Sequence, residues 1–162
     1  MEALSSHDRS GFRCGNDRID KYFRETVTQD IKRRYVKCFV AVEIATGKLA
    51  GFYTLTSNSV PLTGIPEGLK KKMPRYPTVP VTLISWLGRH VDFKGLGLGE
   101  VLMFDAIKAI AGGIAGSHAI IVDAIDDGAM KFYGSFGFVS LSLDSPHRMY
   151  LPVATALNAI EG

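Results

Sequence analysis

The feature that most constrains this chain is a glycine-rich hexapeptide, Lys94-Gly95-Leu96-Gly97-Leu98-Gly99, set between segments of different periodicity. Before it lies an apolar, partly β-branched stretch from Val79 through Leu83, Ile84 and Trp86 to Leu87, which predicts a strand over Val81–His90. After it Val101, Leu102, Phe104, Ile107 and Ile110 recur at helical spacing and predict a helix over Gly99–Ile110. A strand therefore feeds a turn that opens a helix. Glycines there allow a tight turn and a close approach of ligand to main chain. The first N–H groups of the helix lack partners inside it, and its macrodipole places about half a positive charge at that end. Phosphate and pyrophosphate suit such a mouth.

Two common phosphate loops do not fit. A Walker loop closes on Gly-Lys-Ser/Thr, but Gly99 is followed by Glu100. A dinucleotide fingerprint needs a third glycine where Glu100 stands. What remains is a basic residue, two spacers, Gly, one spacer, Gly: Lys94, Gly97 and Gly99.

Length and composition narrow the class. At 162 residues, 46% hydrophobic and 22% charged, the chain reads as one globular domain spanning 1–162. A formal charge of +3 permits nucleic-acid binding without demanding it. Cys14 and Cys38 stand in no metal-ligand spacing, and His7, His90, His118 and His147 are scattered. Two free thiols in a reducing cytoplasm are expected, with no metal site and no membrane segment.

Along the chain, Met1–Gly11 reads as polar and poorly ordered. Asn16 or Asp17 caps a first helix with Ile19, Tyr22 and Phe23 on one face, and a second helix runs from about Arg24 to Arg34. Val36–Ile44 and Leu49–Ser57 form a hairpin around Thr46-Gly47-Lys48. Pro61–Pro80 is a long connection with a short helix at Glu67–Lys72. Ala119–Ile125 reads as a buried central strand. Asp126 or Asp127 caps a helix over Ala129–Ser135, Arg148–Val153 forms the last strand, and Ala154–Ile160 is a tail. The order predicts one mixed α/β sheet with hairpin and crossover parts.

A second marker, Phe132-Tyr133-x-x-Phe136-Gly137-Phe138, follows the apolar strand. On spacing alone it is an aromatic helix face packed in the core. Together with the loop, in this order, it resembles the GNAT family of N-acetyltransferases, whose acetyl-CoA pyrophosphate loop reads Arg/Gln-x-x-Gly-x-Gly/Ala. Lys94 stands where that pattern has Gln or Arg. Further segments sharpen the likeness: Phe12-Arg13-Cys14-Gly15, Gln29-Asp30-Ile31-Lys32-Arg33, Gly51-Phe52-Tyr53-Thr54-Leu55, Lys71-Lys72-Met73-Pro74-Arg75-Tyr76-Pro77 and Val122-Asp123-Ala124. From Phe12 to about Val153 the chain is similar to the acetyltransferase toxins of type II toxin–antitoxin pairs.

The resemblance implies a GNAT fold, with a central mixed β-sheet flanked by helices. It implies acetyl-CoA as co-substrate, the α-amino group of aminoacyl-tRNA as acceptor, and inhibition of translation as the outcome. A ribbon-helix-helix antitoxin, a homodimer and a cytoplasmic location are expected with it. Tyr133 is the implied general acid toward the departing thiolate. Leu87, Gly88 and Arg89 offer main-chain groups to the pantetheine arm, and Lys94, Gly95, Leu96, Gly97, Leu98, Gly99 and Glu100 cradle the pyrophosphate. Asp126 and Phe132 lie near the cofactor. Lys32, Arg33, Arg34, Lys71, Lys72 and Arg75, with Tyr35 and Tyr76 beside them, have the composition of an RNA-tracking surface and equally of a solvated face. The predicted strand Val81–Val91 carries no carboxylate. That suits an α-amine of pKa ~7.7–8 better than a lysine of pKa ~10.4, which needs a strong base. Asp123 stands as a base through water or as a strand-end partner. Two other readings stay open: acetylation of a small amine, polyamine or protein lysine, and a cofactor-binding partner of an antitoxin without catalysis.

Overall fold

The computed structural model describes residues 1–162. Asn16 opens the first helix, its side chain accepting from the Ile19 amide at 3.1 Å. The helix is continuous in three parts: α1 (Asp17–Lys21), a π-helical stretch (Tyr22–Thr26) and α2 (Val27–Lys32). The sequence predicts two helices here, and the π-turn explains the difference. After Ile19, Tyr22 and Phe23, an unbroken α-helix would next turn Thr26 inward. Thr26 is exposed and Val27 is fully buried, a one-residue phase shift that a wider turn supplies. Phe23 then stacks on Phe52 at 4.0 Å, and Tyr22 on Trp86 at 4.1 Å.

The sheet has seven strands in the order β1-β2-β3-β4-β5-β7-β6. They are β1 (Glu2–Ala3), β2 (Lys37–Val42), β3 (Leu49–Pro61), β4 (Thr78–Arg89), β5 (Ala119–Asp123), β6 (Val139–Ser140) and β7 (Arg148–Pro152). The remaining helices are α3 (Glu67–Lys70), α4 (Leu98–Ala111), α5 (Asp127–Gly134) and α6 (Val153–Glu161), with 3-10 turns at Leu62–Gly64 and Val91–Phe93. This is the mixed α/β sheet with helices that the sequence predicts. Two expectations are corrected. The N-terminus is not loose, because Glu2 and Ala3 pair antiparallel with Val40 and Phe39. The second hairpin strand does not stop at Ser57 but runs on to Pro61, shortening the irregular connection.

The chain forms two compact units. One comprises residues 1–56 and 84–106, the other 57–83 and 107–162. The first unit is built on Phe12, Phe23, Val27, Val40 and Phe52, under the helical segment. The second is built on Val60, Ile65, Val79, Val81, Ile121 and Tyr150. In it β5 and β7 pair antiparallel, with Ile121 opposite Tyr150 and both fully buried.

Alternation breaks once in β4. A Cβ on Gly88 would meet Phe52 and Ile19, and Trp86 packs on Tyr22, so both positions serve the face covered by α1. Ser85 is one residue from Trp86, yet its hydroxyl meets Thr54 at 2.9 Å and Thr56 at 3.1 Å, on the face of Phe52. Two successive side chains on one face is what a β-bulge produces, and bulges gather beside active sites.

Candidate active site

In the first unit, the candidate residues lie at the end of β4 and the turn into α4. Leu87 is half-buried and Gly88 buried. A Cβ on Gly88 would lie 2.8 Å from Phe52 Cε1, so only glycine lets the strand pack there. The 3-10 turn Val91–Phe93 follows, tied by the Lys94 amide donating to Val91 O. Gly95 and Gly97 both have left-handed backbone, at φ +79° and +74°, and a Cβ on either would meet nothing within 4 Å. These glycines answer to backbone conformation and to open space beside the main chain, not to packing. Leu96, Lys94 and Glu100 are exposed, Leu98 is half-buried and Gly99 buried at the start of α4. With its open flank and unpaired first amides, the loop fits a diphosphate.

Arg89 adds an observation that the sequence does not foretell. Its Nε is buried without a hydrogen-bond partner. Buried polar atoms in folded proteins are almost always paired, so this orphaned donor, at the end of the strand that runs into the glycine loop, lacks an acceptor within the chain.

The carboxylates nearby are engaged. Asp92 pairs with Lys48 and lies 3.8 Å from His90, and the Lys48 hydrogen bond holds its carboxyl below the usual range. A pocket of about 240 Å³ in this unit is lined by His7, Asp8, Phe12, Lys48 and His90. Its charged groups are already taken up by Glu2, Ser10 and Asp92.

In the second unit, the candidate residues lie at the turn from β5 into α5. Asp126 is the N-cap, accepting from the Ala129 amide at 2.8 Å. Asp123 forms a fork with Arg148, at 2.9 and 3.3 Å, which is the strand-end pairing anticipated for it. Tyr133 is 9% exposed, its ring edge-on to Phe132 at 5.3 Å and to Phe138 at 5.6 Å. Burial pushes the phenol up to about 12. The core reading of this aromatic face therefore holds, and its buried hydroxyl keeps its proton at neutral pH. Phe132 and Phe136 are half-buried beside it.

The basic residues fall into two places. Lys32, Arg33 and Arg34 end α2, all exposed, and Arg34 alone among non-glycine residues has positive φ, at 63°. Lys71, Lys72 and Arg75 are exposed after α3, while Lys70 pairs with Glu67 at 2.6 Å. Tyr35 and Tyr76 are 69% and 70% exposed. Sequence reading missed the stack of Arg18 on Trp86 on Tyr22, because periodicity assigns each residue to a face but not to a neighbour on another element. No group of three or more His, Cys, Asp or Glu side chains is placed to hold a metal. No helix is long and apolar enough to cross a membrane.

No protein-family model matches the chain. Among curated proteins it is similar to the probable toxin TacT of Sinorhizobium fredii, 31% identical over 159 residues, covering 92% of this chain and 87% of that protein. It is also similar to a tRNA-acetylating toxin of Mycobacterium tuberculosis, 34% identical over 146 residues, covering 89% and 86%. Solved structures share the fold. AtaT complexed with acetyl-methionyl-tRNAfMet superposes with a TM-score of 0.85 at 22% identity, over 99% of this chain and 95% of that one. AtaTR bound with AcCoA does so with a TM-score of 0.84 at 21% identity, over 98% and 96%. Identity of this degree over nearly the whole chain, on a sheet of matching architecture, makes this protein a member of the GNAT-type, tRNA-acetylating toxins of toxin–antitoxin systems.

Proposed function

We propose that this chain is an acetyl-CoA-dependent N-acetyltransferase that modifies the α-amino group of aminoacyl-tRNA and so blocks translation. The observation that carries the proposal is the open, left-handed glycine loop at the mouth of α4, in a chain 34% identical to a tRNA-acetylating toxin. Lys94–Glu100 hold the diphosphate through main-chain N–H groups, and Leu87, Gly88 and Arg89 present the strand edge to the pantetheine arm. Asp126 and Phe132 lie beside the cofactor. The neutral α-amine of the acceptor attacks the thioester carbonyl directly. The C–N bond forms, the C–S bond breaks, the thiolate takes the proton of Tyr133, and the proton shed by the attacking nitrogen passes through water back to the phenolate. A phenol buried among Phe132 and Phe138 retains that proton until it is needed.

Lys32, Arg33, Arg34, Lys71, Lys72 and Arg75 track RNA phosphates, with Tyr35 and Tyr76 offering exposed rings. The chain works as one catalytic domain in the cytoplasm, as a homodimer, restrained by a ribbon-helix-helix antitoxin. Incubation with radiolabelled acetyl-CoA and charged tRNAs tests the activity. Label on the aminoacyl end, lost on mild deacylation of the tRNA, is the expected result. Absence of label for every amino acid, with label on polyamine or protein lysine instead, would refute it.

A further inference from the structure

We propose that the side chain of Arg89, and not only its main chain, binds a phosphate of acetyl-CoA. The inference rests on the reading of the Lys94–Gly99 loop as the diphosphate site. It starts from the one guanidinium atom in the chain that is buried without a partner, the Nε of Arg89. Arginine stays charged at any physiological pH, so this donor does not escape its cost by losing a proton. A missing acceptor oxygen is the simplest account.

The pleat says where that oxygen lies. Gly88 faces Ile19 and Phe52. Arg89, the next residue of an extended strand, points to the opposite face. That is the face on which Gly51 abuts Leu102 of α4. The guanidinium thus lies on the α4 side of β4, at the strand end that runs into the loop. Positive potential accumulates there: Lys94 is exposed with no ion pair, and the N-terminus of α4 adds its dipole. The nearest acid along the chain, Asp92, is held by Lys48. An anion is the complement.

The two cations divide the task. Lys94 is a compact point charge on a flexible stem, whereas Arg89 offers a planar fork with two parallel donors, the geometry that phosphate accepts best. In this chain the fork comes from the strand and not from the loop.

Titration calorimetry of CoA into the wild type, Arg89→Met and Arg89→Lys tests the assignment, with melting curves of each protein with and without CoA. Acetyl-pantetheine, which has no phosphate, is the comparison ligand, followed by its KM as acetyl donor. For Arg89→Met, CoA affinity should fall by about ten- to a hundredfold, as expected for one charge-assisted hydrogen bond. The KM for acetyl-pantetheine should change by much less than the affinity for CoA, and Arg89→Lys should recover only part of the loss. The ligand-free Arg89→Met protein should melt no lower than wild type, since an unpaired donor has been removed. CoA binding within twofold of wild type, an equal loss for acetyl-pantetheine, or a lower melting point without ligand would each overturn the proposal. A wild type that fails to bind CoA at all would instead overturn the cofactor reading of the loop.

Discussion

Gly47 and Gly97 make a matched pair. Both have left-handed backbone, at φ +72° and +74°, and a Cβ on either would meet no atom within 4 Å. Gly47 turns the hairpin between β2 and β3, where its amide donates to Glu43 O at 2.8 Å. Gly97 turns the loop into α4, where its carbonyl accepts from Val101 N at 3.2 Å. Alanine at either site meets the same penalty, about 1–2 kcal/mol for an L-residue in that region. For a chain of this size that lowers the melting temperature by about 2–8 °C in both variants. Only at Gly97 does the added methyl stand where a diphosphate must close on the amides. The loss of one such contact weakens CoA binding by about ten- to a hundredfold in Gly97→Ala. Gly47→Ala should bind CoA within about twofold of wild type, because the hairpin turn it alters lies outside the cradle proposed for the diphosphate. Differential scanning fluorimetry reads the first quantity and calorimetry the second. Equal melting shifts with CoA affinity unchanged in Gly97→Ala would show that the open flank of the loop is not the cradle.

Tyr133→Phe should keep the fold and CoA binding while kcat falls by about 10²–10⁴-fold, the usual contribution of a positioned acid; single-turnover acetylation measures it. Arg34→Gly should raise the melting temperature slightly, because glycine relieves the left-handed backbone at 63°, yet weaken tRNA binding in a filter assay; a loss of both would show that Arg34 serves the fold alone. Burial raises the Cys14 thiol to about 11 and the Cys38 thiol to about 12, with Asp20 adding to the effect at Cys14. The unfolded chain releases those protons first, so stability is full below pH ~9 and is lost as pH rises toward 12, and iodoacetamide at neutral pH should label both thiols slowly. The Tyr150 hydroxyl is buried without a partner, so Tyr150→Phe should melt at or above the wild-type temperature, and a marked drop would reveal a bond to an ordered water.

The parts of this molecule that could be read from the chain are those written in local pattern. The apolar stretch Ala119–Ile125 became a strand over Ala119–Asp123, buried through Val122, while Asp123 and Ile125 are exposed. The stretch from Val101 to Ile110 holds helical spacing and became α4. Asn16 and Asp126 are capping residues before helical runs and both cap. What escaped reading depends on distant partners. The pairing of Glu2 and Ala3 with β2 has no periodicity, because both residues are exposed. The π-turn is set by where Phe52 and Trp86 sit, which the residues Tyr22–Thr26 do not announce. Asn58 and Ser59 look like loop and are strand, carried by pairing and not by propensity. Around the proposed site, the glycine turn before α4 and the helix carrying Tyr133 follow from local pattern, but the stranded Nε of Arg89 became visible only once its surroundings were folded.

The interleaving of the two units has a consequence for synthesis. The portion bearing the glycine loop is finished when residue 106 leaves the ribosome. The other unit is not, because β5 waits for β7, Arg148–Pro152. A nascent chain that has just exposed residue 106 therefore holds every residue of the first unit while β5 still lacks its partner strand.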